Sequence, residues 1–207
     1  MYRKVIKRLL DVLLSGCAIV ILSPLLLAIA IAIKIDDPGP VLFRQRRVGI
    51  HKTHFLILKF RTMRMDAPVD TPTHLLDDPD QYITGVGEFL RKYSLDELPQ
   101  IFQIFTGKMS LIGPRPALWN QYDLIAERDK YGANDIRPGL TGWAQINGRD
   151  ELPIDVKARF DGEYVQKLSF LFDCRCFFGT IVSVIKHDGV VEGGTGQLEK
   201  EKREAGK

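Results

Sequence analysis

Residues 12–33, VLLSGCAIVILSPLLLAIAIAI, run without a single charge and carry Ser23-Pro24 at their middle. About 20 apolar residues suffice to cross a bilayer, so the stretch is long enough to enter one. It is too long for an ordinary core helix, and it lacks the small-residue cleavage site of a removed signal peptide. Pro24 has no backbone N–H to donate and crowds the preceding turn, so a helix through it is expected to bend there.

The flanks bear on what such a bend does. Arg3, Lys4, Lys7 and Arg8 precede the stretch, and Lys34, Arg44, Arg46 and Arg47 follow it. Basic residues collect on the cytoplasmic side of membrane segments, and here both ends carry that signal. A hairpin dipping into one leaflet satisfies both ends. Each half, about a dozen residues or roughly 18 Å of helix, reaches the middle of a ~30 Å hydrocarbon core without crossing it. A kinked single-pass helix is the alternative, since proline is common in membrane helices.

The remaining chain, about 170 residues, is enough for one compact domain with a core. A net charge of only +3 gives no nucleic-acid signature. The basic residues are local, beside the apolar stretch and in 44–64, which suits anionic headgroups or a phosphorylated substrate. Cys17, Cys174 and Cys176 form no C-x-x-C and no even set, so a reducing compartment is expected. His51 and His54 lack further ligand candidates nearby, which argues against zinc.

Along the chain, DDPGP (36–40) ends the apolar element with turn chemistry. VLFRQRRVG and HKTHFLILKFRTM read as a β-hairpin. Residues 66–82 read as an irregular loop. GVGEFLRKY and LDELPQIFQIFTG read as helices, the second ended by Gly107. ALWNQYDLIAERDKY and residues 155–169 also look helical. DIRPGLTGWAQINGRD has too many Gly and Pro for regular structure and reads as a long, functional loop. FFGTIVSVIKH reads as an amphipathic helix lying on a membrane. The tail from Glu192 reads as disordered. The expected class is therefore α+β and mostly helical, divided into a membrane hairpin (1–36), a folded domain (37–191) and a tail (192–207).

Three clusters carry chemistry. Asp96 and Glu97 lie in SLDELP, where S-x-x-E alone would signal a capping box. With Ser94 as N-cap, however, Pro99 would fall where a helix needs its N–H. Adjacent carboxylates repel unless a cation relieves them, which a divalent ion or Arg91 and Arg115 would supply. Arg115, stiffened between Pro114 and Pro116, suits a fixed fork aimed at phosphate. The loop 139–149 offers amides (Gln145, Asn147), the indole of Trp143 and a guanidinium (Arg149), a mix suited to a nucleotide or sugar. Lys59, Arg61 and Arg64 form either a solvated strand face or a phosphate-facing one.

These motifs together resemble the small monotopic polyprenyl-phosphate phosphoglycosyl transferases, the initiating sugar-phosphate transferases of bacterial glycan assembly. The resemblance runs from about Tyr2 to Val191. It rests on Lys7-Arg8 with Asp11, the Ser23-Pro24 break, PGP then F-x-Q-x-R-x-G (38–49), KFRTM (59–63), R-x-x-SLDELPQ (91–100), GPRP (113–116), RPG-x-TGWAQ-x-NGR (137–149) and SF-x-x-D (169–173). It implies a re-entrant helix broken at Ser23-Pro24, interfacial amphipathic helices, and a monotopic protein on the cytoplasmic face of the bacterial inner membrane. It implies an Asp96 nucleophile, a Glu97 partner and Mg²⁺ on that pair. Lys59, Arg91, Arg115, Arg137, Gln145, Asn147, Arg149 and Asp173 would be substrate or phosphate contacts. The implied reaction passes sugar-1-phosphate from a UDP-sugar to polyprenyl (undecaprenyl) phosphate through a phosphosugar-aspartyl intermediate, releasing UMP. Such a reaction opens capsule, exopolysaccharide, O-antigen or glycoprotein assembly. The implied partners are the UDP-sugar, polyprenyl phosphate and membrane lipids, without nucleic acid, and a homodimer is compatible. A non-catalytic nucleotide-sugar sensor and a membrane-bound phosphodiesterase are the competing classes.

Overall fold

A computed structural model describes residues 1–67, 80–148 and 152–186. Arg149, most of the 66–82 loop and the 192–207 tail lie outside the described residues. The described chain is mostly helical, with two small sheets. A π-helical turn, Tyr2–Ile6, leads into α1 (Lys7–Asp36). Then come β1 (Leu42–Val48), β2 (His54–Phe60), α2 (Gly85–Lys92), α3 (Gln100–Phe105) and β3 (Ser110–Ile112). They are followed by α4 (Tyr122–Asp129), β4 (Gly139–Thr141), α5 (Trp143–Ile146), α6 (Ile154–Lys167) and α7 (Phe170–Lys186).

Helix α1 continues through Pro24. Pro24 cannot donate to the Val20 carbonyl four residues back. The Ser23 hydroxyl donates to that same carbonyl at 2.8 Å, so the proline orphans no acceptor. Both ends of α1 are fixed to the rest of the fold. Near the start, Arg8 donates to the Ile104 and Phe105 carbonyls at 2.6 and 2.7 Å, covering the open end of α3. Buried Asp11 accepts from the Leu111 amide at 2.9 Å. Near its end, Ile29 and Ile33 pack with Phe60 and Leu90. Asp36 accepts from the Val86 N–H at 2.9 Å and Thr84 from the Gly87 N–H at 3.0 Å, so two orphan donors of α2 are satisfied. Between these ends Val20, Ile21, Leu25 and Leu27 are exposed.

β1 and β2 pair antiparallel, Phe43 opposite Lys59 and Gln45 opposite Ile57, as expected for a hairpin. The Gln103 side chain acts as a further strand against β2. It accepts from the Leu58 N–H at 2.9 Å and donates to the Leu56 carbonyl at 2.6 Å.

The Gly/Pro-rich region expected to be an irregular loop contains β4 and α5. Strand β4 runs parallel to β3, Ser110 opposite Gly139 and Ile112 opposite Thr141. The glycines permit this rather than prevent it. A Cβ on Gly139 would lie 2.1 Å from the Gly113 nitrogen, so only glycine allows the two backbones to meet. Helix α4 starts only at Tyr122, later than its sequence suggests, because Pro116–Leu118 is held against β1 instead.

Asp173, at the start of α7, is a buried junction. It accepts from Tyr2 Oη at 2.5 Å, Lys7 Nζ at 2.7 Å and Tyr164 Oη at 2.7 Å, joining the N-terminal turn, α1 and α6.

Candidate active site

The Asp96-Glu97 pair occupies a 3₁₀ turn, Leu95–Glu97, directly before α3. Ser94 precedes this turn, but its side chain makes no capping hydrogen bond. Its φ of 53° places it in the left-handed region and turns the chain out of α2. Pro99 instead occupies the N-cap of α3, where a missing N–H costs nothing. The conflict between the capping box and Pro99 is thus resolved against the box, and both carboxylates are released for other work.

Asp96 and Glu97 are both buried. Lys59, at the end of β2, sets its ammonium 2.8 Å from Glu97 Oε1 and 3.4 Å from Asp96 Oδ2. Arg115 grips Glu97 with both terminal nitrogens, Nη2 to Oε1 at 2.6 Å and Nη1 to Oε2 at 3.3 Å. Burial pushes the Asp96 carboxyl above its ordinary value of 3.8. The Lys59 charge opposes this, the Glu97 charge adds to it, and Arg115 also opposes it.

The rigidity expected of Arg115 has identifiable sources. Ahead of it, the Gly113 N–H donates to the Thr141 carbonyl and the Gly139 N–H to the Pro114 carbonyl, both at 2.8 Å. Beyond it, Arg47 donates to the Pro116 carbonyl at 3.1 Å and the Val48 N–H to the Ala117 carbonyl at 2.9 Å. The arginine is therefore held between β4 and β1, and its fork is set on Glu97.

The other residues expected in the site divide. Arg91, in the last turn of α2, is half-buried with Nη2 3.9 Å from Met63 Sδ. Arg137 is exposed and donates to the Gly107 carbonyl at 3.0 Å, beside the α3 end that Arg8 covers. Asn147 donates to the Trp143 carbonyl at 2.7 Å. The Gln145 amide has both polar atoms buried without a described partner. Asp173 is engaged by Tyr2, Lys7 and Tyr164, a junction that ties the N-terminus to α6 and α7.

Two further expectations change. The Trp143 indole is not presented to a ligand: it donates to Glu163 at 3.1 Å and packs 5.0 Å from the Phe172 ring. Of the KFRTM cations, only Lys59 reaches the carboxylates. Arg61 is buried on the side chain and carbonyl of Asp37, and exposed Arg64 pairs with Asp66. Asp37, the partner that takes Arg61 away from the site, carries no signal in the sequence. Their sequence separation gives no sign that α1 ends against the strand carrying Lys59.

Among the described residues no three His, Cys, Asp or Glu side chains gather as an all-protein metal cage. That donor set still fits Mg²⁺, which commonly binds through one or two carboxylates together with substrate phosphates. Asp96 and Glu97 would hold it.

The pattern of the bacterial sugar transferase family matches residues 2–187. The chain belongs to that family. It is 40% identical over 191 residues to the UDP-glucose:undecaprenyl-phosphate glucose-1-phosphate transferase of Xanthomonas campestris pv. campestris, covering 89% of this chain and 40% of that one. It is 39% identical over 186 residues to the protein of the same description from Escherichia coli (strain K12), covering 86% and 40%. The chain thus spans about two fifths of the length of these family members. A shorter member, the exopolysaccharide production protein ExoY of Sinorhizobium fredii (strain NBRC 101917 / NGR234), is 38% identical over 194 residues, covering 86% of this chain and 84% of that one.

Proposed function

We propose that this chain transfers a sugar-1-phosphate from a UDP-sugar to undecaprenyl phosphate, releasing UMP, as a membrane step of bacterial glycan assembly. The observation that carries this reading is the buried Asp96-Glu97 pair between Lys59 and Arg115. One carboxylate, Glu97, takes the arginine fork, while Asp96 has a single described hydrogen bond, the long one to Lys59.

In this reading Asp96 is the nucleophile. Its carboxylate oxygen bonds to the sugar-bearing phosphorus of the UDP-sugar, and the bond from that phosphorus to the UMP oxygen breaks, the electron pair leaving with UMP. A phosphate oxygen of undecaprenyl phosphate then attacks the same phosphorus and returns the Asp96 carboxylate. Lys59 and Arg115 supply fixed positive charge where phosphate charge builds, and Glu97 holds both cations in place. Mg²⁺, when bound, neutralises diphosphate charge.

We read the chain as monotopic at the cytoplasmic face of the inner membrane, and the placement of α1 supports the same-side position of its two ends. Its start is fixed to α3 and β3 and its end to α2 and β2. A helix fastened at both ends to one folded unit cannot put those ends on opposite sides of a bilayer. Its exposed apolar middle, with Phe102 and Phe105 on α3 and Phe177 and Phe178 on α7, suits a leaflet. In this reading the lipid phosphate comes to Asp96 from the surface of that leaflet.

The deciding experiment mixes the purified chain with Mg²⁺ and a panel of UDP-sugars, without and then with undecaprenyl phosphate. The expected result is about one UMP per protein and a phosphosugar mass gain without lipid, then turnover with it. Asp96→Asn should abolish both, whereas Glu97→Gln should still form adduct slowly. UMP release only after lipid is added, or an adduct that survives Asp96→Asn, rejects Asp96 as nucleophile. A water-soluble product indicates a phosphodiesterase, and no UMP at all indicates a binding protein.

A further inference from the structure

Gln100 stands out because its amide is buried with work undone. The residue is 2% exposed, and its Nε2 has no acceptor among the described residues. Leaving a buried donor unmade is costly, so an orphan of this kind calls for an explanation.

Its position supplies one. From Leu95 through Phe105 the backbone is continuously right-handed: a 3₁₀ turn, then Leu98 and Pro99 in the helical region, then α3. On such a path residues three and four apart share a face. Gln100 is four residues after Asp96, three after Glu97 and three before Gln103. The groups on either side of it both face β2. Gln103 bonds Leu56 and Leu58, and Glu97 bonds Lys59, the next residue along the strand. Gln100 therefore lies between a backbone-binding glutamine and the catalytic pair, on the face that carries Lys59. Gln103 satisfies both ends of its amide on the strand edge, whereas the Nε2 of Gln100 finds no acceptor among the described residues.

We propose that Gln100 is a further substrate-binding residue, its Nε2 donating to a phosphate oxygen of the nucleotide-sugar diphosphate bound against Asp96. This rests on the transferase reading above. The chemistry of the acceptor follows from the neighbours. A ligand drawn between Lys59 and Arg115 is anionic and oxygen-rich, and a neutral, fixed donor adds to the two cations without another charge to desolvate. Nε2 is itself covered in the absence of substrate, so the diphosphate reaches it as the site adjusts around the bound nucleotide-sugar.

The test uses the full chain in detergent, with the UDP-sugar that the unaltered protein turns over fastest in the panel above, undecaprenyl phosphate and Mg²⁺. Gln100→Met keeps length and removes the amide; Gln100→Glu keeps length and puts an acceptor where the donor stood. Melting temperature and UMP release are read on both. The expected result for Gln100→Met is an unchanged or higher melting temperature, because an unsatisfied polar group has been removed, with kcat/KM lower by at least ~10-fold. Gln100→Glu should lose more, since its carboxylate repels phosphate. UMP release by Gln100→Met within twofold of the unaltered chain overturns the proposal. If Gln100→Met melts lower, Gln100→Glu decides: near-normal turnover, or a melting temperature equally lowered, makes Gln100 structural and overturns it. Absence of UMP release by the unaltered chain with every UDP-sugar instead overturns the transferase reading, and this proposal with it.

Discussion

Arg115 meets Glu97 through a two-pronged contact, Nη2 to Oε1 at 2.6 Å and Nη1 to Oε2 at 3.3 Å, while Lys59 shares the same Oε1 at 2.8 Å. Glu97 is thereby the hinge pin of the site: two cations from distant segments converge on it, and Asp96 is left beside them.

Arg115→Lys keeps the charge but cannot make both contacts. Turnover is expected to fall at least ~10-fold, on the order of 1.4 kcal/mol of transition-state stabilisation. Steady-state UMP release measures it. Turnover equal to that of the unaltered chain would show that the fork is dispensable.

The Asp96 carboxyl is raised by burial, so it holds its proton to a higher pH than the ordinary 3.8. Without divalent cation, its infrared carboxyl band, identified by its loss in Asp96→Asn, should titrate above that value. A cation bound at Asp96 and Glu97 favours the charged form, so adding Mg²⁺ should move the midpoint down. A midpoint unmoved by saturating Mg²⁺ would mean that the ion sits elsewhere.

Arg3 and Lys34 are both exposed and lie on either side of the apolar stretch. In a monotopic protein, single cysteines at the two positions should react with an impermeant maleimide from the cytoplasmic side alone. Labelling of one from each side would establish a span. Replacing Ser23 with Ala and Pro24 with Leu restores the N–H that Pro24 lacks but leaves both ends of α1 fastened to one folded unit, so the labelling pattern should not change.

Arg128 and Asp161 form a buried ion pair between α4 and α6, with Nη2 and Nε of the arginine 2.6 and 2.7 Å from Oδ2. Oδ1 of Asp161 is buried without a described partner. Removing one charge strands the other, so Arg128→Met or Asp161→Leu alone should cost about 3 kcal/mol of stability. The double variant should recover most of that loss, because two apolar side chains need no partner. Unfolding midpoints of the three variants check the cycle; additive losses would show that the pair is not coupled.

Much of the fold is legible one segment at a time. The hairpin follows from β-branched and aromatic runs around Gly49, and α2 and α6 follow from local pattern, whereas α3 starts only at Gln100 and α7 begins at Phe170, ahead of the amphipathic segment from Phe177. Asp96 and Glu97 were marked by Pro99, since a proline in that position makes a capping box untenable. In the Gly-rich region glycine signals a loop locally, whereas in the fold it allows β3 and β4 to touch. Trp143 looked like a ligand platform for the same reason: an aromatic in a loop is exposed unless something distant covers it, and α6 and α7 do.

By itself the sequence determined that residues 12–33 form an uncharged apolar stretch, that Ser23-Pro24 interrupts it, and that two adjacent carboxylates need cations. These are properties of neighbouring residues, and neighbouring residues settle them. Only the tertiary structure decided which cations answer. Lys59 and Arg115 reach Glu97 from 38 and 18 residues away, whereas Arg61 turns to Asp37 and Arg137 to Gly107. Charges of one kind are interchangeable in a sequence; a guanidinium's partner is fixed by which backbone arrives beside it, and that depends on packing between segments far apart in the chain.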